Sequence, residues 1–266
     1  MFKNLTFIRF PINLDFSELD SQAALCALRP IGPLEMSTRG WVSPYGAMDQ
    51  QLVQRIGGTI HLALGGEDKI LPATAVNAEV AKRIEAIEQA EARRPGGRER
   101  KRIKDDLLHE MLPKALTKPY RLRGYIDTAR GLLVVDTASR KAAEDFASHL
   151  RATLGSFPGM PINAEVAPRA VLTSWIAGES LPQAMELGEE AELRDPMDGG
   201  AVARVQRQEL GSVEVGEHLA AGKQVTRLGL VLGDHISFTL GDDLVVRKFK
   251  LLDGALDTLQ DVEGEG

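Results

Sequence analysis

No regular α-helix runs through Pro95-Gly96-Gly97, yet the residues on both sides of that triplet carry helical patterns. Before it, Val76, Val80, Ile84 and Ile87 recur at the spacing of one apolar stripe. After it, Ile103, Leu107, Leu108, Met111 and Ala115 do the same. The expected product is a two-helix hairpin, and its tip is basic. Arg93, Arg94, Arg98, Arg100, Lys101, Arg102 and Lys104 cluster around the break, and Lys118, Arg121 and Arg123 follow the second helix. The whole chain has a formal net charge of -6, so this positive charge is a local feature. Such an arm can pack along its stripe against a partner and hold cations near a polyanion. The ordinary alternative is a solvated charged helix pair that only supports the fold.

On either side of the arm the patterns change period. Leu5 to Phe10 read as a strand apolar on both faces, which suits a central place in a sheet. Ser17 with Asp20 reads as a helix start, and Leu19, Ala23 and Cys26 then share a face, with Cys26 as a small buried hydrophobe. Gly40-Trp41-Val42-Ser43-Pro44 reads as a strand entering a turn. A strand from Gly57-Gly58 should end at Gly65-Gly66, with His61 facing away from its Ile/Leu set, and Lys69-Ile70-Leu71-Pro72 gives a further extended segment. Tyr125-Ile126-Asp127 and Leu132 to Asp136 flank Thr128-Ala129-Arg130-Gly131 as a hairpin. An amphipathic helix starts at Ser139 and ends at Gly155. Pro158, Pro161 and Pro168 mark a boundary. Beyond it, Leu172-Thr173-Ser174-Trp175 opens a second unit. A strand at 201–208, a helix at 213–221 and strands at 225–232, 236–240 and 244–251 follow, before an acidic, apolar-poor tail from Asp253 to Gly266. Helices and hairpins without regular βαβ alternation predict an α+β protein with an inserted arm.

The chemistry is marked by what the motifs exclude. One cysteine, Cys26, precludes an internal disulfide and suits a reducing compartment. The N-terminus has no signal-peptide pattern and no run is apolar enough for a membrane helix, so a soluble cytoplasmic protein is expected. No phosphate-cradling loop, dinucleotide fingerprint or Gly-x-Ser-x-Gly elbow is present. His109-Glu110 lacks the second histidine of a zinc-protease motif, because position 113 is Pro. Neither a cofactor nor a resident metal is predicted. Asp127 and Asp136, with Glu144 and Asp145 nearby in sequence, form a possible carboxylate set for a metal-dependent nuclease; setting a turn and ending a strand are their routine uses. Charge favours nucleic acid instead. The tip cations and Lys118 and Arg121 suit phosphates without regard to sequence. Arg204, Arg207, Gln208 and Lys223 form a second set, with Arg204 and Gln208 on one face of a strand and Arg207 on the other, against the alternative of plain sheet-surface residues.

Taken together and in order, several words resemble the RdgC family of bacterial recombination-associated proteins. They are Phe2-Lys3-Asn4-Leu5, Gly40-Trp41-Val42-Ser43-Pro44, Lys69-Ile70-Leu71-Pro72, Leu112-Pro113-Lys114-Ala115, Ile126-Asp127-Thr128, Leu172-Thr173-Ser174-Trp175, Glu190-Ala191-Glu192-Leu193, Gly199-Gly200, Arg207-Gln208-Glu209-Leu210 and Gly222-Lys223-Gln224-Val225-Thr226. The resemblance implies a non-enzymatic DNA-binding protein: a ring-shaped homodimer with a basic hole for duplex DNA. It also implies little sequence preference, association with the nucleoid and restraint of RecA-promoted strand exchange, and it leaves single-stranded DNA open as a ligand beside duplex. It implies a central region at 1–75 and 124–168, a helical tip at 76–123 and a base at 169–266. Leu116 is then an apolar contact between protomers, and Arg207-Gln208 matches a basic-residue–Gln pair of the family. Two features depart from the family pattern: relatives continue past the acidic stretch, and they carry a lysine-rich helical run where Pro95-Gly96-Gly97 stands here.

Overall fold

The computed structural model describes residues 1–46, 49–197 and 200–255; Gly199 and the tail beyond Ala255 lie outside them. The elements in chain order are β1 (Thr6–Arg9), α1 (Leu19–Leu25), β2 (Ser37–Val42), β3 (Val53–Ile56), β4 (Thr59–Lys69), α2 (Ala73–Glu91) and α3 (Gly97–Met111). A 3-10 turn at Leu112–Lys114 leads into β5 (Thr117–Asp127), β6 (Leu132–Val135), α4 (Arg140–Leu154), β7 (Met160–Pro161) and α5 (Pro168–Ile176). The chain continues with β8 (Met185–Arg194), β9 (Val202–Gln206), α6 (Val213–Ala220), β10 (Gln224–Leu232), β11 (Ile236–Gly241) and β12 (Val246–Leu251). Antiparallel sheets and segregated helices make the class α+β, as the pattern predicts. The chain divides into two compact units. One holds Met1–Asp15, Arg55–Ile60 and Gly124–Gly266; the other holds Phe16–Gln54 and His61–Arg123.

In the second of these units, β2 pairs with β4 from Ser37↔Asp68 to Val42↔Ala63, and β5 is the neighbour on the other side of β4. Trp41, Leu62 and Leu64 are buried in it. The strand expected to stop at Gly65-Gly66 runs through to Lys69. Those glycines are there for close approach: a Cβ on Gly66 would stand 2.3 Å from the Thr38 carbonyl oxygen. Cys26 is half-buried at the end of α1, not within its buried face of Leu19 and Ala23, and α1 starts at Leu19 after Glu18. The helical hairpin forms as the triplet dictates. α2 ends at Glu91 and is followed by Ala92 in the left-handed region, α3 begins at Gly97, and Val76 and Leu107 are the buried members of the stripes.

In the other unit, β1 lies between β6 and β7. Residues 124–127 of β5 pair with β6 from Gly124↔Val135 to Asp127↔Leu132, the predicted hairpin. α4 is capped by Ser139 Oγ, which accepts from the Ala142 N–H at 3.2 Å, and it ends at Gly155 with φ +73°. Its Ala143, Phe146, Ala147 and Leu150 are buried. Phe146 closes over Gly124, where a Cβ would meet Cζ at 2.9 Å. The same unit contains a five-stranded sheet in the order β12-β11-β10-β8-β9. Its inner face buries Leu193, Val205, Val225, Leu228 and Leu230 under α5 (Leu172, Ile176) and α6 (Val215). Bonds between Leu5 and Val246, in both directions at 2.8 and 3.0 Å, tie the chain's start to β12.

Candidate nucleic-acid interface

Period-two alternation sends one set of side chains from this sheet into the core and the other outward. On β8, Ala191 and Leu193 go in, and Glu190 and Glu192 go out. The outer residues form rows across the strands. Glu192 stands directly opposite Arg204 of β9 and Arg227 of β10. Arg204 Nε donates to Glu192 at 3.0 Å, with Arg194 Nη2 at 3.5 Å and Arg227 Nη1 at 3.7 Å. One carboxylate, its side chain only 9% exposed, thus gathers three arginines whose own side chains remain open to water. Burial by itself would raise the Glu192 carboxyl, but the Arg204 hydrogen bond, the Arg227 and Arg204 charges and the Thr226 hydroxyl outweigh it and hold the group below the usual range.

The next row is Gln206, Glu190, Gly229 and Thr239, because Glu190 opposes Gln206 and Gly229 opposes Thr239. Glu190 accepts from the Thr239 hydroxyl and from Lys248 Nζ. It too lies below the usual range: burial pushes it up, and the Lys248 and Thr239 hydrogen bonds and the Lys248 and Lys250 charges more than reverse that. Gly188 and Gly229 leave the middle of the sheet without side chains. A Cβ on Gly188 would meet the Gly229 carbonyl carbon at 3.0 Å, and one on Gly229 would meet Glu190 Cγ at 2.9 Å. The floor is therefore low and the rims are high. A groove of about 690 Å³ results, with Arg207 on the β9 side and Lys248 and Lys250 on β12. Arg204, Arg227, Arg247 and Lys248 surround an adjoining cleft of about 260 Å³.

The cations expected from the sequence fall into three groups. Arg204 is on the open face and exposed. The strand expected at 201–208 ends at Gln206, so Arg204 and Gln208 do not share a face as predicted: Arg207 is exposed with φ +56°, and Gln208 Nε2 donates to Ser212 Oγ at 3.2 Å. Lys223 Nζ sits 3.0 Å from His218 Nδ1. At the tip, Arg93 is bound by Glu91 and Glu99, Arg94 by Glu88 at 3.1 Å, and Arg102 stands 3.9 Å from Asp106. Arg100 Nε donates to the Pro95 carbonyl at 2.9 Å, whereas Arg98, Lys101 and Lys104 are exposed. Lys118 is exposed on β5, and Arg121 donates to the Ser43 carbonyl. Leu116 is 78% exposed, and its carbonyl accepts from Ile70 N–H; Ile70 and Met36 are exposed apolar residues at the same end of β2–β4–β5.

Asp127 and Asp136 are not brought together. In the β5–β6 register Asp127 opposes Leu132, which puts Asp136 four residues away along the strand, roughly 13 Å. Both do the routine work of their positions. Asp127 accepts from the Arg130 N–H at 2.9 Å and its guanidinium at 2.8 Å, and Arg130 holds it below the usual carboxylate range. Asp136 accepts from the N–H groups of Lys3 and Asn4 at 2.9 and 3.1 Å. Among the described residues no three His, Cys, Asp or Glu side chains converge as metal ligands, and no helix is long and apolar enough to cross a membrane.

The residues that sequence reasoning missed are Glu190, Glu192, Arg194, Arg227, Arg247, Lys248 and Lys250. The signal for the first two was present: Glu190-Ala191-Glu192-Leu193 alternates with the period of a half-buried strand. The cations of Val246-Arg247-Lys248-Phe249-Lys250-Leu251 were equally visible.

Comparison with known proteins adds the following. A family model described as "RdgC: Putative exonuclease, RdgC" matches residues 1–266. A curated protein of Stenotrophomonas maltophilia (strain R551-3), named "Recombination-associated protein RdgC", is 55% identical over all of this chain and 88% of its own length. Proteins of the same name from Xanthomonas campestris pv. campestris (strain B100) and Xanthomonas axonopodis pv. citri (strain 306) are 53% identical with the same coverage.

Proposed function

The chain belongs to the RdgC family, and on that premise we propose that it acts in recombination as a DNA-binding protein that contacts duplex phosphates without reading bases. The observation that carries this reading is the outer face of the five-stranded sheet. Seven cations, Arg194, Arg204, Arg207, Arg227, Arg247, Lys248 and Lys250, stand there in a chain that is acidic overall. A net-acidic protein binds a polyanion when its cations are collected on one surface. The face offers arginine and lysine rims above a glycine floor and no recognition helix, which suits backbone contact better than base readout. In the other unit, tip residues Arg98, Lys101 and Lys104 are exposed cations in their own right.

The family resemblance extends the proposal to a ring-shaped homodimer around duplex DNA, nucleoid-associated in the cytoplasm, that limits RecA by occupying its substrate. The exposed apolar set of Leu116, Ile70 and Met36 supports a protomer contact at that end of the sheet. A cyclic pair also needs a second self-complementary surface. The test is fluorescence anisotropy on two unrelated duplexes and one single strand across a salt series, with linear duplex incubated in Mg²⁺ or Mn²⁺ alongside. The expected result is similar affinity for both duplexes, a steep fall with salt and intact DNA. Salt-insensitive binding refutes the phosphate reading, and cleavage refutes the non-enzymatic one.

A further inference from the structure

Two of the cations that rim the groove have backbones in the left-handed region, where a side chain is ordinarily unwelcome. Arg207 has φ +56° and Lys248 has φ +52°. Lys248 also occupies an irregularity of the sheet. Ser237 pairs with Lys250 and Thr239 pairs with Arg247, so Lys248 and Phe249 oppose the single residue Phe238. That is a β-bulge, and its left-handed position is the one that glycine normally fills. A bulge turns the extra residue's side chain out of the regular alternation. Here it sends the amine over β11 to the carboxylate of Glu190, which itself reaches from β8 over Gly229 of β10 to Thr239 of β11, while the lysine side chain stays 60% exposed. Strained backbone at a residue that could have been glycine points to a use for the side chain.

We propose that Lys248 is a phosphate-binding residue of this surface, with the bulge and Glu190 as the devices that aim it. This rests on the reading of the sheet face as a DNA surface. β12 lies four strand spacings from β9, roughly 19 Å, so Lys248 and Arg207 serve different phosphates and their contributions are separable.

Three variants test it. Lys248→Ala removes the amine and keeps the strained conformation; Lys248→Gly removes both; Lys248→Arg keeps the charge. Losing one phosphate contact lowers the slope of log affinity against log salt by about 0.9 for each protomer engaged, which is roughly an eightfold loss at 0.1 M relative to 1 M salt. Both neutral variants should show that loss, and Lys248→Arg should bind within about twofold of the unaltered protein. Lys248→Gly should melt about 2–4 °C above Lys248→Ala, because glycine relieves the left-handed strain. Unaltered slope and affinity in Lys248→Ala and Lys248→Gly overturn the proposal while leaving DNA binding intact. A glycine variant that melts below the alanine one overturns the argument from strain. Absence of salt-dependent binding by the unaltered protein overturns both the proposal and the function it rests on.

Discussion

Replacing Glu192 by Gln should tighten DNA binding although it weakens the fold. The carboxylate touches Arg204 through Nε, which leaves the outer edge of that guanidinium for a phosphate. A phosphate bound there would lie about 6 Å from Glu192. Coulomb's law gives a repulsion of about 0.7 kcal/mol at the dielectric constant of water and about 2.8 kcal/mol at an effective value near 20. Screening at physiological salt roughly halves both, to about 0.3–1.3 kcal/mol. Removing the charge should therefore tighten binding by about two- to ninefold. The difference should shrink as salt rises. The same change removes the common partner of three arginines, but all three side chains reach water, so the stability cost is small, about 1–2 kcal/mol. Anisotropy titrations at several salt concentrations measure the first effect and thermal melts the second. Weaker binding by a folded Glu192→Gln protein would mean that the arginines need the carboxylate to hold them in place. Unchanged binding at low salt would remove this cluster from the DNA surface.

Acid should loosen the unit that contains the five-stranded sheet. Glu190, Glu192 and Asp243 all lie below their ordinary values in the folded protein: burial opposes this in each, and Lys248, Arg204 and Arg247 respectively prevail. Groups depressed by folding contribute stability above their unfolded values, about pH 4, and lose it as pH falls through the folded ones. Thermal midpoints should drop steeply below about pH 4 and less steeply in Glu192→Gln; a flat profile from pH 5 to 3 contradicts the assignment. Gly131→Ala should cost about 2–4 kcal/mol, since φ is +63° and the new Cβ would sit 2.4 Å from the Phe10 carbonyl oxygen. Chemical denaturation measures it, and a cost under about 1 kcal/mol would show that the hairpin can shift away from Phe10.

The sequence made the periodic features plain. Proline and glycines at 95–97 split the helical hairpin, and Ser139 and Gly155 frame α4. It misled where glycine had a second use: Gly65 and Gly66 read as an end, but they let β2 approach β4 inside a continuing strand. The site was half legible. Arg204 and Arg207 could be found as cations, but the row Arg204–Glu192–Arg227 depends on the pairing of three strands from separate parts of the chain. Local pattern does not supply that register. The bulge at Lys248 was equally hidden, because the sequence offers a lysine where the conformation calls for glycine.

The bonds between Leu5 and Val246 have a consequence for synthesis. The two residues are 241 positions apart, and β1 must also find Leu132–Val135 and Met160–Pro161. At roughly 5–20 residues per second, the opening segment waits about 12–50 s for its last partner to be made. Throughout that interval Ile8 and Phe10, both buried in the folded protein, remain without their full complement of neighbours. The nascent chain thus carries the apolar, strand-forming segment of β1 outside the ribosome well before β12 exists, and that segment is the natural place for a chaperone to hold.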